Sequence, residues 1–259
     1  MKENLLKYWK EEKLGDYFHD TLIKDERGVY DAVSGLDSNA IPADIEDLVR
    51  LHRLIRTRKS FTILEFGVGY STLIIADALY KNSKDWLGLD DPPAIRNRFQ
   101  FQCFSVDTSE EWIEKTKQRI PDTLKEFVHF HYSEVHIGTF QDQLCHYYET
   151  LPDVVPDFIY LDGPDPNAVK GSIHGMTFQC TERTVMSGDL LRMEPILLPG
   201  TFILIDGRTN NARFLENNLK RDYEFYWDKK GDVTTIELIE ERLGKYNLLG
   251  SDFFKTQVV

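Results

Sequence analysis

Acidic residues and glycines directly follow several short apolar runs of this chain, at positions where they could bind a ligand or take part in catalysis. Gly67 and Gly69 follow the first run, and Asp107, Asp162 and Asp206 follow three later ones. Glycine lets a backbone turn sharply and approach a ligand closely. A carboxylate beside a buried strand costs free energy unless it has a partner or a function. We therefore expect these residues to line a binding site.

The elements that must position these residues are strands that alternate with helices. The predicted strands are 61–66, 101–106, 127–132, 158–161 and 201–205, followed by two closing strands, 223–227 and 233–238, joined by a tight turn. The predicted helices between them are 72–80, 110–119, 141–150, 190–198 and 212–220. This alternation is typical of a parallel sheet covered on both faces. The predicted fold class is α/β, a doubly wound, mostly parallel sheet of seven strands with an antiparallel C-terminal hairpin edge.

An N-terminal helical extension is predicted over residues 1–60, and the sheet domain over residues 61–259. The extension is expected to face solvent for most of its length. Within it, apolar residues recur at helical spacing from Ile45 to Ile55, just after the helix-start signal Pro42-Ala43-Asp44. In doubly wound sheets ligands bind beyond the C-terminal ends of the strands, where the strand order reverses. The acids and glycines described above lie at those ends.

The composition argues against several classes of protein. The chain has 259 residues, with 31 basic and 43 acidic side chains and a formal charge of −12, which disfavours binding to nucleic acid. No apolar stretch approaches the roughly 18 residues of a membrane helix, and the charged N-terminus is unlike a secretory signal. Cys103, Cys145 and Cys180 form no CxxC pair, so we predict no disulfide framework. We expect a soluble, cytoplasmic protein with no membrane or nucleic-acid partner; a homo-oligomer is compatible with the sequence.

The first strand and its glycines resemble the first motif of the class I S-adenosylmethionine-dependent methyltransferases. That motif is an acid, any residue, glycine, any residue, glycine and a small residue, and Glu65, Gly67, Gly69 and Ser71 match it. In a dinucleotide-binding fingerprint the third glycine would fall at Thr72. An acid at position 65 also suits a cofactor with a cationic amino-acid tail better than a pyrophosphate. The resemblance extends over residues 61–240 and includes a Pro-Gly pair just before the fifth strand.

The resemblance implies S-adenosylmethionine as cofactor and a small molecule as methyl acceptor, with transfer to an oxygen or nitrogen. The residues it assigns to the cofactor are Glu65, Gly67, Gly69, Tyr70, Ser71, Asp107, Thr108, Ser133, Glu134 and Asp162. Ser133 and Glu134 follow the third strand, where polar residues of the family contact adenine, although they could equally form an ordinary polar loop.

Asp107 is the residue that the resemblance places on the two ribose hydroxyls. A carboxylate suits this role because its two oxygens can each accept a hydrogen bond. Asp107 could also simply cap the helix that follows. A rival prediction places the second strand at residues 86–89 and the ribose acid at Asp90. We prefer Asp107, since Pro92-Pro93 blocks a helix after Asp90.

Asp162, Asp206 and His174 are the candidate catalytic residues, each able to accept the acceptor's proton. Asp162 and Asp206 occupy the positions of two metal-ligand acids in the catechol-type O-methyltransferases. The asparagine that follows the second acid there is replaced by Gly207 here. A divalent metal is therefore compatible with these acids but not favoured. His174 lies in the long segment 164–188, which is expected to form a lid or substrate site.

Two other functions stay open at this stage. The spacing of Asp157, Asp162, Asp165 and Pro166 resembles the aminopropyltransferases of polyamine synthesis, in which paired acids hold a cationic amine. The glycine loop lacks the denser glycine run of that family. Alternatively, the fold is a non-catalytic binding module, with residues 50–58 or 81–100 as a contact surface.

Overall fold

The computed structural model describes residues 2–18, 23–24, 30–31, 43–92, 95, 97–180 and 182–242. Its α-helices are α1 (Lys2–Glu11), α2 (Ile45–Arg58), α3 (Tyr70–Leu87), α4 (Glu110–Arg119), α5 (Asp189–Met193) and α6 (Thr209–Asn218). Its strands are β1 (Ile23–Lys24), β2 (Tyr30–Asp31), β3 (Ala43–Asp44), β4 (Thr62–Phe66), β5 (Gln102–Asp107), β6 (Val128–Tyr132), β7 (Val135–Phe140), β8 (Gln143–Tyr148), β9 (Phe158–Leu161), β10 (Phe202–Asp206), β11 (Tyr223–Asp228) and β12 (Val233–Leu238). Short 3-10 helices cover Leu14–Tyr17, Asp122–Phe127, Pro166–Ala168 and Glu194–Ile196.

Seven strands form the central sheet in the order β11-β12-β10-β9-β4-β5-β6. Neighbouring strands from β10 to β6 are parallel, whereas β12 runs antiparallel to both β10 and β11. The chain moves outward from β4 to β5 and β6, then returns to β9 and β10 on the other side of β4. This order confirms the predicted α/β, Rossmann-like sheet with its antiparallel C-terminal hairpin. The strand order reverses between β4 and β9, so the expected ligand site lies at their C-terminal ends.

Alternate residues of the central strands pack against opposite faces of the sheet. Tyr160 and Leu204 belong to the core beneath α1, α2 and α3. Ile159 and Ile203 belong to the core beneath α5 and α6. Asp162 follows Tyr160 by two positions, and Asp206 follows Leu204 by two positions. Both acids therefore lie on the α2–α3 side of the sheet.

The described part of the N-terminal extension packs onto the sheet domain, so the prediction that it mostly faces solvent is wrong. Trp9, Leu14 and Phe18 are buried in the same core as Ile55 of α2. These apolar residues are separated by charged ones, and their common core becomes visible only once α1 lies against α2. The helix predicted after Asp44 is confirmed, and Asp44 caps it by accepting a hydrogen bond from the Glu46 amide at 2.9 Å.

The remaining residues of the extension, 1, 19–22, 25–29 and 32–42, lie outside the described residues, as does the C-terminal stretch 243–259. The predicted domain boundary at residue 60 stays a prediction. No described helix is both long and apolar enough to cross a membrane.

The helix predicted over residues 141–150 is wrong, because this segment is strand β8, paired with β7 in an antiparallel hairpin. Gln141 and Asp142 both have positive φ, 48° and 62°, at its turn. Two-residue hairpin turns with positive φ at both positions usually carry Asn-Gly or Asp-Gly, so Gln-Asp gave no signal. The hairpin projects after β6 and brings Tyr148 and His146 beneath the ends of the central strands.

Candidate active site

Glu65, near the end of β4, is buried and holds the glycine turn together. Its Oε1 accepts a hydrogen bond from Ser71 Oγ at 2.5 Å, and its Oε2 accepts from Thr72 Oγ1 at 2.7 Å and Ser105 Oγ at 2.6 Å. The hydroxyls of Ser71 and Thr72 belong to the first turn of α3, and Ser105 belongs to β5. The carboxylate thus fixes the start of α3 against two strands. Burial raises the pKa of Glu65 to about 7, although the three hydroxyls oppose the shift.

Replacing Glu65 with glutamine is expected to flatten the dependence of stability on pH. The folded protein keeps the Glu65 proton up to about pH 7, whereas the ordinary pKa is 4.5. The contribution of Glu65 to the free energy of unfolding is therefore fully present below pH 4.5 and is lost as the pH rises through 7, by about 3 kcal/mol in total. Urea unfolding from pH 4 to 8 measures the difference between the wild type and Glu65→Gln. Parallel curves for the two proteins would contradict a buried, protonated Glu65.

Two glycines, Gly67 and Gly163, bring the backbones of β4 and β9 together where the strand order reverses. Gly67 has a φ of +99°, and a Cβ placed on it would lie 3.2 Å from the Gly163 amide nitrogen. A Cβ on Gly163 would lie 2.7 Å from the Gly67 nitrogen. Gly69 is different, because a Cβ there would meet no protein atom within 4 Å. The turn therefore has a packed side at Gly67 and an open side at Gly69.

Asp107 ends β5 and is hydrogen-bonded to the same turn. Its Oδ2 accepts from the Val68 amide at 3.0 Å and its Oδ1 from the Ser109 amide at 2.8 Å. Burial raises its pKa, and the amide hydrogen bonds oppose the shift. Each carboxylate oxygen has a second lone pair, so the two amide bonds leave capacity for two further donors.

The rival placement of the second strand at residues 86–89 is wrong, because Trp86 and Leu87 end α3 and β5 begins at Gln102. Asp90 follows the C-terminal end of α3 and is exposed. Since α3 starts at the C-terminal edge of the sheet and spans 18 residues, about 27 Å, Asp90 lies far from the glycine turn.

The other residues predicted for the cofactor surround this region. Tyr70 is the first residue of α3, and its ring lies 5.7 Å from that of Phe18, while the Arg119 guanidinium covers it at 5.0 Å. Ser133 is buried after β6, and its Oγ accepts from the Thr150 amide at 3.0 Å. Glu134 forms an ion pair with Lys170 at 2.6 Å. Thr108, beside Asp107, is partly buried.

Asp162 and Asp206 end the neighbouring strands β9 and β10 at equivalent register, since Leu161 pairs with Ile205. The buried Tyr160 donates its hydroxyl hydrogen to Asp206 Oδ2 at 2.9 Å. The Asp162 side chain is 54% exposed, yet desolvation by the surrounding protein raises its pKa to about 7; Arg208 opposes this shift, and Asp206 adds to it. Burial also raises the pKa of Asp206, against the Tyr160 hydrogen bond. The two acids therefore share a rim, as the sequence analysis expected.

Arg208 stands over the end of β9 and was not singled out by the sequence analysis. Its guanidinium donates to the backbone carbonyls of Asp162 and, at 3.2 Å, Pro164, and lies 4.0 Å from Asp162 Oδ1. Asp47 of α2 also approaches the rim, and burial followed by the charge of Asp206 raises its pKa to about 6. Tyr160 could have been found, because it precedes Asp162 by two residues on one strand. Asp47 and Arg208 depend on tertiary packing that the sequence pattern does not give.

His174 lies in an exposed tight turn at which Ile173 and Met176 exchange backbone hydrogen bonds of 3.0 and 2.9 Å. Its φ is 50°. The segment around it runs along the β7–β8 hairpin, fastened by hydrogen bonds from the Ile137 amide to Lys170 and from the His146 amide to Met186. No described contact joins His174 to the acid rim, so its catalytic role stays a prediction.

Asn211 lies close after Asp206 in sequence but does not supply the missing third ligand of the catechol-type metal site. The Oδ1 of Asn211 accepts from the Ser187 amide at 2.9 Å, and the Asn211 side chain is fully buried near the start of α6. Asn210 is exposed. Among the described residues, the histidine, cysteine and acidic side chains close enough to share a metal ion are Glu134, His136 and Glu149, which lie elsewhere.

The acids of the aminopropyltransferase resemblance do not come together. Asp157 lies at the opposite edge of the sheet, where its buried carboxylate accepts from the Phe61 and Thr62 amides at 2.9 Å. Asp165 caps its own turn by accepting from the Asn167 amide at 2.8 Å. Only Asp162 of the three lies at the candidate site.

Comparisons with known proteins give distant structural likenesses. No family model and no curated protein matches the sequence. Among solved structures, the O-methyltransferase TomG from Streptomyces achromogenes, in complex with SAM, is 18% identical with a TM-score of 0.44, over 80% of this chain and 84% of that one. An O-methyltransferase from Bacillus cereus in complex with SAH is 14% identical with a TM-score of 0.41, over 92% and 91%. The SAH-bound methyltransferase PaMTH1 of Podospora anserina is 14% identical with a TM-score of 0.43, over 91% and 88%.

The fold assignment rests on the order and direction of the strands, because TM-scores below 0.5 describe only a distant likeness. By that order the chain has the Rossmann-like α/β fold that the alternation of strands and helices predicted.

Proposed function

We propose that the protein binds S-adenosylmethionine at the C-terminal ends of β4, β5 and β9 and transfers its methyl group to an oxygen or nitrogen of a small molecule. The observation that carries the proposal is the glycine turn at the strand reversal. Glu65 fastens the turn from below, Gly67 packs it against Gly163, and Gly69 leaves open space above it. This arrangement provides a rigid, closely approachable backbone surface for a ligand.

The neighbouring side chains have chemistry that suits the two halves of this cofactor. Asp107 keeps one free lone pair on each oxygen for the two ribose hydroxyls. Asp162 lies beside the turn, where its amide donates to the Phe66 carbonyl at 3.0 Å, and its carboxyl group is assigned to the cationic amino-acid tail. Ser133 and Glu134, at the end of β6, lie on the adenine side of this assignment. The bound cofactor supplies a methyl group activated by a sulfonium, which departs as a neutral sulfide.

The protein's part in the transfer is to align the acceptor, exclude water and take up its proton. Asp162 and Asp206 are the candidate proton acceptors, with His174 as a third. A carboxyl with a pKa of about 7, as at Asp162, is matched to proton transfer near neutral pH. Asp206 Oδ2 already accepts the Tyr160 hydroxyl hydrogen at 2.9 Å, whereas the Asp162 side chain is 54% exposed and accessible to an acceptor. We therefore assign proton acceptance first to Asp162.

Asp107→Ala is expected to weaken S-adenosylhomocysteine binding by about 1.5–3 kcal/mol, the range for hydrogen bonds to a charged group. Calorimetric titration measures the loss. Asp90→Ala is the matched control, because Asp90 is exposed beyond the far end of α3. Unchanged affinity in Asp107→Ala would remove the ribose assignment, and a loss in Asp90→Ala alone would reverse it.

The acid pair is tested by the rate of S-adenosylhomocysteine formation with a panel of small hydroxyl and amine acceptors. Under the proposal, Asp162→Asn slows turnover at least about 100-fold, the lower range for general base catalysis, even at saturating S-adenosylmethionine. It also weakens S-adenosylhomocysteine binding, because it removes the carboxylate assigned to the amino-acid tail. The wild-type rate should rise with pH through about 7 and ignore a chelator. A rate that vanishes with EDTA and returns with magnesium would instead assign the acids to a metal. Full activity in both Asp162→Asn and Asp206→Asn would exclude catalysis by the pair.

A further inference from the structure

A histidine and two glutamates meet at the base of the β7–β8 hairpin, away from the acid rim. One potential ligand atom from each of Glu134, His136 and Glu149 lies within 4.8 Å of the others. His136 Nε2 is 3.5 Å from Glu134 Oε2. His136 and Glu149 are exposed, and Glu134 is partly so, which leaves the group accessible to a hydrated ion. The set therefore mixes one imidazole with two carboxylates.

The backbone fixes the three residues relative to one another. The Glu149 amide donates to the Glu134 carbonyl at 2.9 Å, one step beyond the paired Val135 and Tyr148. His136 follows within the same ladder, opposite Tyr147. Since antiparallel pairing sets the spacing of these positions, only side-chain rotation is needed to bring the three ligand atoms onto one ion.

The ammonium group of Lys170 already forms an ion pair with one of the two glutamates. The Lys170 ammonium lies 2.6 Å from Glu134 Oε1, and its own backbone is held by hydrogen bonds from Ile137 and to Val135. The Glu134 carboxylate therefore already has a cationic partner. The lysine side chain is 54% exposed, so it can leave without disturbing the core.

We propose that Glu134, His136 and Glu149 form a site for a divalent transition-metal ion of the zinc type, for which Lys170 is a built-in competitor. The imidazole nitrogen favours such an ion over magnesium, which prefers oxygen ligands. Three protein ligands leave a position for water, as in open zinc sites. A bound ion would join the ends of β6 and β8 and so clamp the hairpin to the sheet. The site shares only Glu134 with the proposed cofactor assignment, so His136 and Glu149 are the ligands to replace in its test.

The test is calorimetric titration of the full chain with zinc chloride, followed by thermal unfolding with and without zinc. Wild type should bind one ion and unfold at higher temperature with zinc, because the ion binds only the folded site. His136→Ala and Glu149→Gln should each weaken binding at least about 10-fold, since each removes one of three ligands. His129→Ala, an exposed histidine of β6 bound to Gln102, is the matched control and should bind like wild type.

The variant Lys170→Met distinguishes loss of a competing ammonium group from damage to the hairpin. Removing the competing ammonium should tighten zinc binding, whereas a change that merely damaged the hairpin would weaken it. The proposal is overturned if His136→Ala binds zinc as tightly as wild type, if His129→Ala loses the binding instead, or if Lys170→Met weakens it. Magnesium chloride in place of zinc should give no saturable binding, and equal affinity for both ions would also contradict the imidazole ligand.

Discussion

Replacing Gly69 with leucine is expected to remove S-adenosylmethionine binding while the protein stays folded. A Cβ at position 69 meets no protein atom within 4 Å, and its φ of 165° is extended backbone that any residue adopts. The leucine side chain would therefore fill the open space above the turn without straining the chain. We expect S-adenosylhomocysteine affinity to fall at least about 100-fold, or about 2.7 kcal/mol, in a calorimetric titration. The thermal unfolding temperature should change little.

The matched control is Gly88→Leu at the far end of α3. A Cβ there makes only ordinary contacts of 3.4 Å, and Gly88 lies beyond the proposed site. Its affinity should equal that of wild type. If Gly69→Leu binds as well as wild type, the cofactor does not lie over this turn. Gly67 is a poorer choice for this test, because its positive φ and its contact with Gly163 would make a larger residue unfold the turn itself.

Replacing Asp77 with alanine is expected to destabilise the protein by about 3–5 kcal/mol, the range for removing one partner of a buried charged pair. Asp77 Oδ2 lies 2.9 Å from His52 Nε2 and 2.7 Å from Lys81 Nζ, and Oδ1 accepts from Tyr17 at 2.6 Å. Burial opposes ionisation of Asp77, but the hydrogen bonds from His52, Lys81 and Tyr17 outweigh it and lower its pKa. Without the carboxylate, these donors lose their common acceptor.

Urea unfolding measures the loss, and Glu11→Ala is its control. Glu11 pairs with Lys7 on the exposed side of α1 at 3.7 Å, a contact worth about 0.3–0.5 kcal/mol. Asp77→Ala should also speed hydrogen exchange in α1, because His52, a partner of Asp77, is hydrogen-bonded to Tyr8 of α1 at 2.7 Å. A loss below about 1 kcal/mol, comparable with surface pairs, would show that the network does not hold α1 in place.

The sheet and the ends of its strands could be predicted from sequence because their signals are local. Apolar runs marked β4, β9 and β10, and the glycines and acids directly after them marked the edge where they meet. The shared direction of parallel strands then predicts that Asp162 and Asp206 lie side by side. The choice of Asp107 over Asp90 followed equally from local signals, since Pro92-Pro93 excluded a helix after Asp90.

The remainder depended on contacts between segments far apart in sequence. Trp9 and Phe18 belong to the core only because α1 lies against α2 and α3. The three hydroxyls around Glu65 come from two elements, and only folding reveals that they surround one carboxylate. The β7–β8 hairpin was missed because Gln141-Asp142 is not a usual turn pair. Arg208 was not predicted because its hydrogen-bond partners are backbone carbonyls, whose positions cannot be read from residue types.

The most direct measurement of the central claim is calorimetric titration of the wild-type chain with S-adenosylmethionine, S-adenosylhomocysteine and NAD under one set of conditions. The account predicts saturable binding of one molecule of S-adenosylmethionine or of S-adenosylhomocysteine, in competition with each other, and no binding of NAD. The two-glycine turn, which lacks the third glycine of a dinucleotide-binding fingerprint, is the reason for that preference. Binding of NAD in their place, or no saturable binding of either sulfur compound, would contradict the assignment of this site to S-adenosylmethionine.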